Sequence, residues 1–199
     1  MITLTRKARQ AFQTNGGILR TTEALSAGIH PRTLYALRDT GQIETLARGV
    51  YRLADLPPLA NPDLATVAKR IPRGVLCLIS ALAYHGLTTQ VPHAVHLAIP
   101  RTARRPRLQY PPLRVYHFSG EAIGAGIDIH TIDGVAVRIY NPEKTLADCF
   151  KYRGKIGMDV VLEAIRAYRR KQPRLQRVLK YSKICRVERL IRPYLEALA

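Results

Sequence analysis

Residues 17–52 have the sequence GILRTTEALSAGIHPRTLYALRDTGQIETLARGVYR. Two segments with apolar residues at helical spacing stand on either side of Gly28, and an alternating segment around Arg48-Gly49 follows them. Two short helices joined by a turn and followed by a β-hairpin make a winged helix-turn-helix, whose second helix enters a groove of DNA. Residues 17–52 therefore predict a DNA-binding domain.

Capping and turn residues set the bounds of the elements in this domain. Thr21 or Thr22 is expected to cap the first helix of the motif, because a hydroxyl oxygen satisfies free backbone N–H groups. Pro31 suits the first turn of the next helix, where its missing N–H group is not needed. We predict helices at 4–14, from Thr21 or Thr22 to Gly28, and from Pro31 to Gly41, with strands at 18–20, 43–47 and 50–53.

The exposed face of the second helix of the motif is the expected DNA reader. Leu34 and Leu37 give that helix its buried stripe, so its other side chains face outward. Arginine pairs with guanine, and Thr or Tyr contacts thymine methyl groups or phosphates. The alternative is a protein-binding winged helix with an ordinary solvated face, an interpretation that Asp39 on the outer surface favours. The predicted DNA-contacting residues are Arg20, Thr22, Arg32, Thr33, Tyr35, Arg38, Arg48 and Arg52.

The charge of the chain points to a polyanionic partner. Its 32 Lys and Arg against 14 Asp and Glu give a net charge of +18. The loop at 101–107 is either a phosphate clamp or minor-groove arm, or a solvated loop. The basic helices within residues 151–199 bind DNA, bind RNA, or form a solvated surface. The candidate additional nucleic-acid contacts are Arg101, Arg104, Arg105, Arg107, Arg169, Arg170, Lys171 and Arg174.

Residues 56–62 contain three prolines and predict a linker between a winged helix at 1–55 and a second domain at 63–199. In the second domain, Asp133-Gly134 is a strong signal for a hairpin turn. The fold class is therefore α+β: a winged helix-turn-helix followed by a mixed α/β domain with a helical C-terminal end. Beyond the linker we predict helices at 62–70 and 80–85, strands at 94–99 and 113–118, a hairpin of 127–132 with 135–140, and helices at 142–152, 158–171 and from 174 onward.

Several segments resemble the AbiEi family of antitoxins and transcriptional regulators from type IV toxin–antitoxin systems. The N-terminal domain resembles the DNA-binding module of that family, including the hairpin return at 48–51. The more specific match is NPEKTLADCFKYR at 141–153, which follows the predicted hairpin. The other similar segments are SALAYHGL at 80–87, HLAIP at 96–100, IDGVAVR at 132–138 and YLEA at 194–197.

The resemblance implies a function for each domain. The N-terminal domain would repress its own operon by binding inverted repeats of double-stranded DNA in the promoter. The C-terminal antitoxin domain would counteract a nucleotidyltransferase-like toxin in abortive infection, with or without direct contact. Two other hypotheses stay open: a stand-alone winged-helix regulator whose second domain senses a ligand or partner, and a DNA nuclease that the winged helix directs to its target.

The residues do not favour catalysis or a bound metal. His93 and His96 are three apart on a predicted strand, so alternation sends them to opposite faces. The turn explains Asp133, and Asp148 is expected to bond an arginine or the backbone. No Gly-x-Ser-x-Gly segment supplies a nucleophile. We therefore expect no enzyme activity, no catalytic residue, no metal site and no cofactor.

Cysteine usage and the N-terminal sequence predict the compartment. Cys77, Cys149 and Cys185 are odd in number and widely spaced, as expected of reduced, packed thiols. The N-terminus lacks the apolar core of a secretory signal, and the longest apolar run is too short to cross a bilayer. We expect a cytoplasmic protein without membrane contact. The sequence has no heptad pattern that would indicate a dimer interface. Its absence favours a monomer that pairs on DNA.

Overall fold

A computed structural model describes residues 5–171 and 173–197 of the chain. The chain divides into two compact units, each built from three segments. The first unit comprises residues 1–72, 106–111 and 130–137, and the second comprises 73–105, 112–129 and 138–199. Residue 4 of the first predicted helix and residues 198–199 of the last one lie outside the described residues.

The first unit is a winged helix-turn-helix, as predicted. Phe12, Leu19, Leu34, Leu37 and Leu53 are fully buried between the helices and one face of a three-stranded sheet. The sheet has the order β1-β3-β2 with both pairings antiparallel. Its elements are α1 (Arg6–Thr14), β1 (Ile18–Arg20), α2 (Thr21–Ser26), α3 (Pro31–Asp39), β2 (Ile43–Ala47), β3 (Val50–Leu53) and α4 (Pro62–Arg70).

Two details of this unit differ from the sequence prediction. The cap of α2 is Arg20, whose backbone N–H donates to Glu23 Oε2 at 2.7 Å, and not a threonine hydroxyl. The Thr21 hydroxyl instead donates to the carbonyl oxygen of Gly49 at 3.4 Å. Helix α4 belongs to the first compact unit, whereas the predicted boundary assigned it to the second domain. The reason is that α4 contacts all three strands of the first sheet.

A hairpin tip from residues 130–137 completes the first unit. Asp133 Oδ1 accepts a hydrogen bond from the backbone N–H of Ala60 at 2.9 Å, and Oδ2 accepts one from Asn61 at 2.8 Å. Gly134 and Gly16 have φ values of 74° and 67°, and a Cβ atom on either would overlap the backbone of the other. Asp133 thus fastens the segment before α4, a role that the turn alone did not predict.

The second unit contains most of a five-stranded mixed sheet with the order β6-β5-β4-β8-β7. Pairs β4–β8 and β5–β6 are parallel, and β4–β5 is antiparallel. Its strands are β4 (Val75–Leu76), β5 (Val95–Pro100), β6 (Leu113–Phe118), β7 (Ile127–Ile132) and β8 (Val135–Tyr140). Its helices are α5 (Leu78–Tyr84), α6 (Glu121–Gly124), α7 (Pro142–Lys151), α8 (Arg153–Ile156), α9 (Met158–Arg169), α10 (Leu175–Cys185) and α11 (Glu188–Ala197).

Helix α7 is the centre of the second unit. It contacts α5, α9, α10 and α11, and residues 143–150 are all buried. The side chain of Asn141 accepts from the backbone N–H of Lys144 at 2.9 Å, and Pro142 occupies the first helical position, so the helix begins at the predicted residue 142. Within residues 5–171 and 173–197, no helix is long and apolar enough to cross a membrane.

The sequence prediction misplaced the start of this unit. It placed a helix at 80–85, whereas α5 begins at Leu78 and follows the two-residue strand β4. Ser80 lies inside α5, and its hydroxyl oxygen accepts a hydrogen bond from the backbone N–H of His96 at 2.9 Å. A continuous apolar run hides the change from strand to helix, because neither period is visible in it. Helix α6 was also missed.

Candidate nucleic-acid interface

The start of α3 is fixed by local interactions. Its N-terminal cap is His30, whose Nδ1 accepts from the backbone N–H of Arg32 at 3.2 Å, and Pro31 is the first helical residue. Leu34 and Leu37 are fully buried, which fixes the rotation of the helix. Arg32 is therefore exposed, Thr33 is half-buried, and Tyr35 is 47% exposed.

The cations on α3 differ in what they contact. Arg38 donates to Asp39 Oδ1 from Nε at 2.9 Å and from Nη2 at 2.7 Å, and its guanidinium carbon lies 5.3 Å from the centroid of the Tyr35 ring. The hydrogen bond to Asp39 raises the pKa of Arg38. Arg32 forms no ion pair with any carboxylate of the described residues. Arg32 is thus the α3 cation whose charge is uncompensated.

The wing is a short turn between β2 and β3. Arg48 is exposed at this turn, and Gly49 follows it with a φ of 75°. The backbone N–H of Thr21 donates to the carbonyl oxygen of Gly49 at 3.0 Å, which ties the wing to the start of α2. Thr22, next in sequence, is exposed. Arg48 and Thr22 therefore both lie on the surface of the first unit.

Arg52 does not lie where the sequence prediction expected. Its side chain is only 6% exposed, and it donates to Glu44 Oε1 at 2.6 Å and to the carbonyl oxygen of Pro57. The reason is that β3 is the central strand of the sheet and is buried along its whole length. Arg52 is thus a buried, paired cation, and its position does not support the predicted contact with DNA.

Arg20 is an intermediate case. Its Nε lies 3.4 Å from Glu23 Oε1, and 31% of its side chain is exposed. Lys69 Nζ also approaches Glu23, at 3.3 Å from Oε2. Arg20 is therefore partly compensated, although part of its side chain still reaches solvent.

The other predicted basic contacts fall in several parts of the chain. Arg101, Arg104 and Arg105 are exposed in the second unit, and Arg107 is exposed in the first. On the second unit, Arg169 is half-buried, whereas Arg170, Lys171 and Arg174 are exposed. Lys171 Nζ donates to the carbonyl oxygen of His85 at 2.8 Å.

A buried ion pair on α7 is a feature that the sequence prediction missed. Lys144 Nζ lies 2.7 and 2.6 Å from the two carboxylate oxygens of Asp148, and neither residue is exposed. The Cys185 thiol also donates to Asp148, at 3.2 Å. Burial raises the pKa of the Asp148 carboxyl, and the Lys144 ammonium opposes that shift. The sequence prediction gave Asp148 an arginine or the backbone as its partner. The spacing of Lys144 and Asp148, at i and i+4 of one helix, was the signal that could have identified this pair.

The cysteines are packed thiols, as predicted. All three are buried and free. Burial raises the pKa of Cys185 to about 12 and raises that of Cys77 and Cys149 well above the usual thiol value. A thiol held protonated is a poor nucleophile and a poor metal ligand. Nothing at these positions therefore favours thiol chemistry.

The histidines and carboxylates considered for metal binding lie apart. His85 Nε2 lies 2.8 Å from the carbonyl oxygen of Tyr140, as expected of a residue that ends a helix. His96 is buried in β5, and burial lowers its pKa to about 4. His93 precedes that strand. Among the described residues, no group of three His, Cys, Asp or Glu side chains could hold a metal ion.

Comparisons with known proteins cover both units. A family model described as "Transcriptional regulator, AbiEi antitoxin" matches residues 6–54, and one described as "AbiEi antitoxin C-terminal domain" matches 74–196. A comparison with curated protein sequences finds no match. The crystal structure of the RV2827C protein from Mycobacterium tuberculosis has a similar fold, with a TM-score of 0.50 and 12% identity, covering 93% of this chain and 79% of that chain. The chain therefore belongs to the AbiEi family of antitoxins, which are also DNA-binding transcriptional regulators.

Proposed function

We propose that this antitoxin belongs to a type IV toxin–antitoxin system and represses its own promoter. Helix α3 binds inverted repeats in that promoter, and the C-terminal domain counteracts a nucleotidyltransferase-like toxin. In this proposal residues 1–55 bind DNA, and the antitoxin activity lies in the part of residues 63–199 that belongs to the second unit. The observation that carries the proposal is the outward face of α3, with its uncompensated Arg32 beside the exposed Tyr35.

Charge supports DNA over a protein partner for this face. Asp39, which favoured the protein-binding alternative, is already paired with Arg38. Arg32 on α3 and Arg48 on the wing form no ion pair among the described residues, so both are available to phosphates or base edges. Thr22 and Thr33 supply neutral hydroxyl groups for further phosphate contacts.

The exposed basic segments of both units supply further proposed contacts with nucleic acid. Phosphate contacts by arginine and lysine add affinity without sequence preference, and they make binding dependent on salt. We assign this role to Arg101, Arg104, Arg105, Arg107, Arg169, Arg170, Lys171 and Arg174. Replacing the four arginines of the loop by Gln should reduce the slope of log affinity against log salt by nearly one unit for each lost contact.

A mobility-shift experiment tests the α3 proposal. Arg32→Ala with Thr33→Ala should abolish the preference for the native promoter over a scrambled duplex, while weak, salt-sensitive binding persists. The matched control is Arg70→Ala, which removes an exposed arginine from α4. Equal loss on both duplexes would show that α3 does not read sequence.

The same double variant tests the division of roles in the full-length chain. It should still rescue cells that express the nucleotidyltransferase gene next to its own, because α3 takes no part in the proposed antitoxin activity. Promoter repression should be lost in the same cells. Loss of rescue together with repression would assign both roles to DNA binding, and a chain that never rescues would be a stand-alone regulator.

A further inference from the structure

The last turn of α3 carries an arginine that is held on two sides. Arg38 donates from Nε and from Nη2 to the same oxygen, Asp39 Oδ1, at 2.9 and 2.7 Å. Its guanidinium carbon lies 5.3 Å from the centroid of the Tyr35 ring, which is within the range of a cation–π contact. The Arg38 side chain is still 45% exposed, so its guanidinium is both oriented and accessible.

The hydrogen bonds to Asp39 leave one edge of this guanidinium free. A guanidinium has five N–H donors, and the bonds to Asp39 use that of Nε and one of Nη2. The other N–H of Nη2 and both of Nη1 have no acceptor among residues 5–171 and 173–197. Nη1 and Nη2 together form an edge that matches two neighbouring acceptors. The O6 and N7 atoms of guanine are such a pair, and they face the major groove of DNA.

The position of Asp39 is unfavourable both for the helix and for general affinity to DNA. Asp39 is the last residue of α3, where a negative charge opposes the helix dipole. Its side chain is 62% exposed, and its charge repels phosphates. The ion pair with Arg38 adds little stability, because both partners are exposed. Orientation of Arg38 is a role that explains a carboxylate at this position.

Pairing with Asp39 also changes what Arg38 contributes to DNA binding. The pair is neutral as a whole, in contrast to Arg32, which forms no ion pair with the described carboxylates. Phosphate affinity and its salt dependence come from net charge, whereas the edge of a base is read by oriented N–H donors. The pair therefore favours discrimination between sequences over affinity for any duplex.

We propose that Arg38 reads a guanine of the promoter and that Asp39 is the positioning residue for Arg38. This inference rests on the proposed binding of promoter DNA by α3. Nη1 and Nη2 of Arg38 donate to guanine O6 and N7, while the Asp39 carboxylate and the Tyr35 ring keep the guanidinium in place before DNA arrives. Because the side chain is already ordered, binding loses less conformational entropy.

Removal of the carboxylate tests the role of Asp39, with affinities measured for the native promoter and for a scrambled duplex. Asp39→Ala should reduce the preference for the promoter about tenfold or more, the usual value of one paired base contact. It should also bind the scrambled duplex more tightly, with a slope of log affinity against log salt that is steeper by nearly one unit, because the released Arg38 contacts a phosphate. An unchanged preference would overturn the inference.

Asp55 provides the matched control. It forms an ion pair with Arg9 at 2.7 Å, the same distance as between Arg38 and Asp39, and both pairs are exposed. Asp55 lies outside α3, so Asp55→Ala removes the same charge without releasing an α3 arginine. Asp55→Ala should leave the preference for the promoter unchanged. Equal losses of preference in the two alanine variants would contradict a specific role for Asp39.

The conservative variant separates orientation from charge. Asp39→Asn removes the negative charge and keeps a side-chain oxygen that can accept from Nε and Nη2 of Arg38. It should therefore retain more of the preference for the promoter than Asp39→Ala does. Equal preferences in these two variants would mean that only the charge of Asp39 matters, and the positioning role would be wrong.

A double-mutant cycle shows whether Asp39 acts through Arg38. Arg38→Ala should reduce the preference for the promoter by a factor similar to that of Asp39→Ala. Combining the two changes should then reduce it no further. A second loss of the same size in the double variant would mean that Asp39 contacts a base itself, and it would contradict the proposal.

A modified duplex tests the identity of the base. 7-Deazaguanine lacks the N7 acceptor, so the natural chain should bind a promoter duplex made with this base more weakly than the unmodified promoter. The loss should be smaller for Arg38→Ala, which no longer makes the contact. Losses of the same size would show that Arg38 does not read guanine.

The natural chain separates failure of this inference from failure of the proposed function. If it binds the promoter and the scrambled duplex equally, both are overturned. If it prefers the promoter and Asp39→Ala keeps that preference in full, the inference alone is overturned, and promoter binding by α3 stands.

Discussion

Helices α3 and α7 begin in the same way and serve different purposes. Each has a capping side chain, His30 or Asn141, followed by a proline at the first helical position. From there α3 buries only Leu34 and Leu37, whereas α7 buries every residue from 143 to 150. The capping signal therefore predicts where a helix begins, and the surroundings decide whether its polar residues face a partner or the core.

The two helices differ in whether their ion pairs are exposed or buried. Arg38 and Asp39 are adjacent on α3, and both are exposed, so their interaction contributes little to stability. Lys144 and Asp148 on α7 are fully enclosed, with the ammonium 4.2 Å from the centroid of the Tyr140 ring. Loss of one partner there leaves a buried charge without compensation. An ion pair is thus part of the core in α7, whereas in α3 it lies on the surface, where losing one partner leaves no buried charge.

The largest expected effect is on α7. Lys144→Ala should lower the free energy of unfolding by about 3–5 kcal/mol, because Asp148 then stays buried without a counter-charge. Urea denaturation followed by circular dichroism measures the change. The control is Arg38→Ala on α3, which should change stability by less than about 1 kcal/mol. A double replacement, Lys144→Met with Asp148→Leu, should cost less than the single one, and a cost that is the sum of both single losses would contradict this account.

An acid-sensitive histidine gives the second test of burial in the same unit. Burial lowers the pKa of His96 from 6.5 to about 4. Between these two pH values the unfolded state therefore binds a proton at His96 and the folded state does not. Stability is therefore lost as pH falls from about 6.5 towards 4, by about 2–3 kcal/mol at pH 4.5. The measurement is the difference in unfolding free energy between the natural chain and His96→Gln at pH 7 and 4.5. A difference that does not change with pH would mean that the pKa of His96 is the same in the folded and unfolded states.

Much of the fold could be predicted because its signals are local. Asp133-Gly134 placed the hairpin, Asn141-Pro142 placed α7, and the bounds of β2 and β3 follow from alternation around Arg48-Gly49. The site was harder to predict. Alternation assigns Arg52 to the surface only if one face of the sheet is free, and α4, which comes later in sequence, contacts the whole sheet.

On α3 a substitution should weaken DNA binding and leave stability unchanged, whereas on α7 it should lower stability. Arg32→Ala should leave the free energy of unfolding within about 0.5 kcal/mol of its original value, since the side chain is exposed and unpaired. Binding to the native promoter should weaken by about 1–3 kcal/mol, the usual value of one base-reading contact. Fluorescence anisotropy with a labelled promoter duplex measures it. A stability loss as large as the binding loss would make Arg32 a structural residue and remove the contrast between the two helices.

The smallest expected effect separates two arginines of one β-hairpin. Arg48 is exposed at the wing, whereas Arg52 is buried against Glu44 and Pro57. Arg48→Gln should reduce the slope of log affinity against log salt by nearly one unit without changing stability, because one phosphate contact is lost. Arg52→Gln should leave that slope unchanged and lower stability instead, because Glu44 loses its partner. Equal slopes in both variants would mean that the wing does not touch the phosphate backbone. A reduced slope in Arg52→Gln alone would mean that the hairpin rearranges on DNA and exposes a cation that is buried in the free protein.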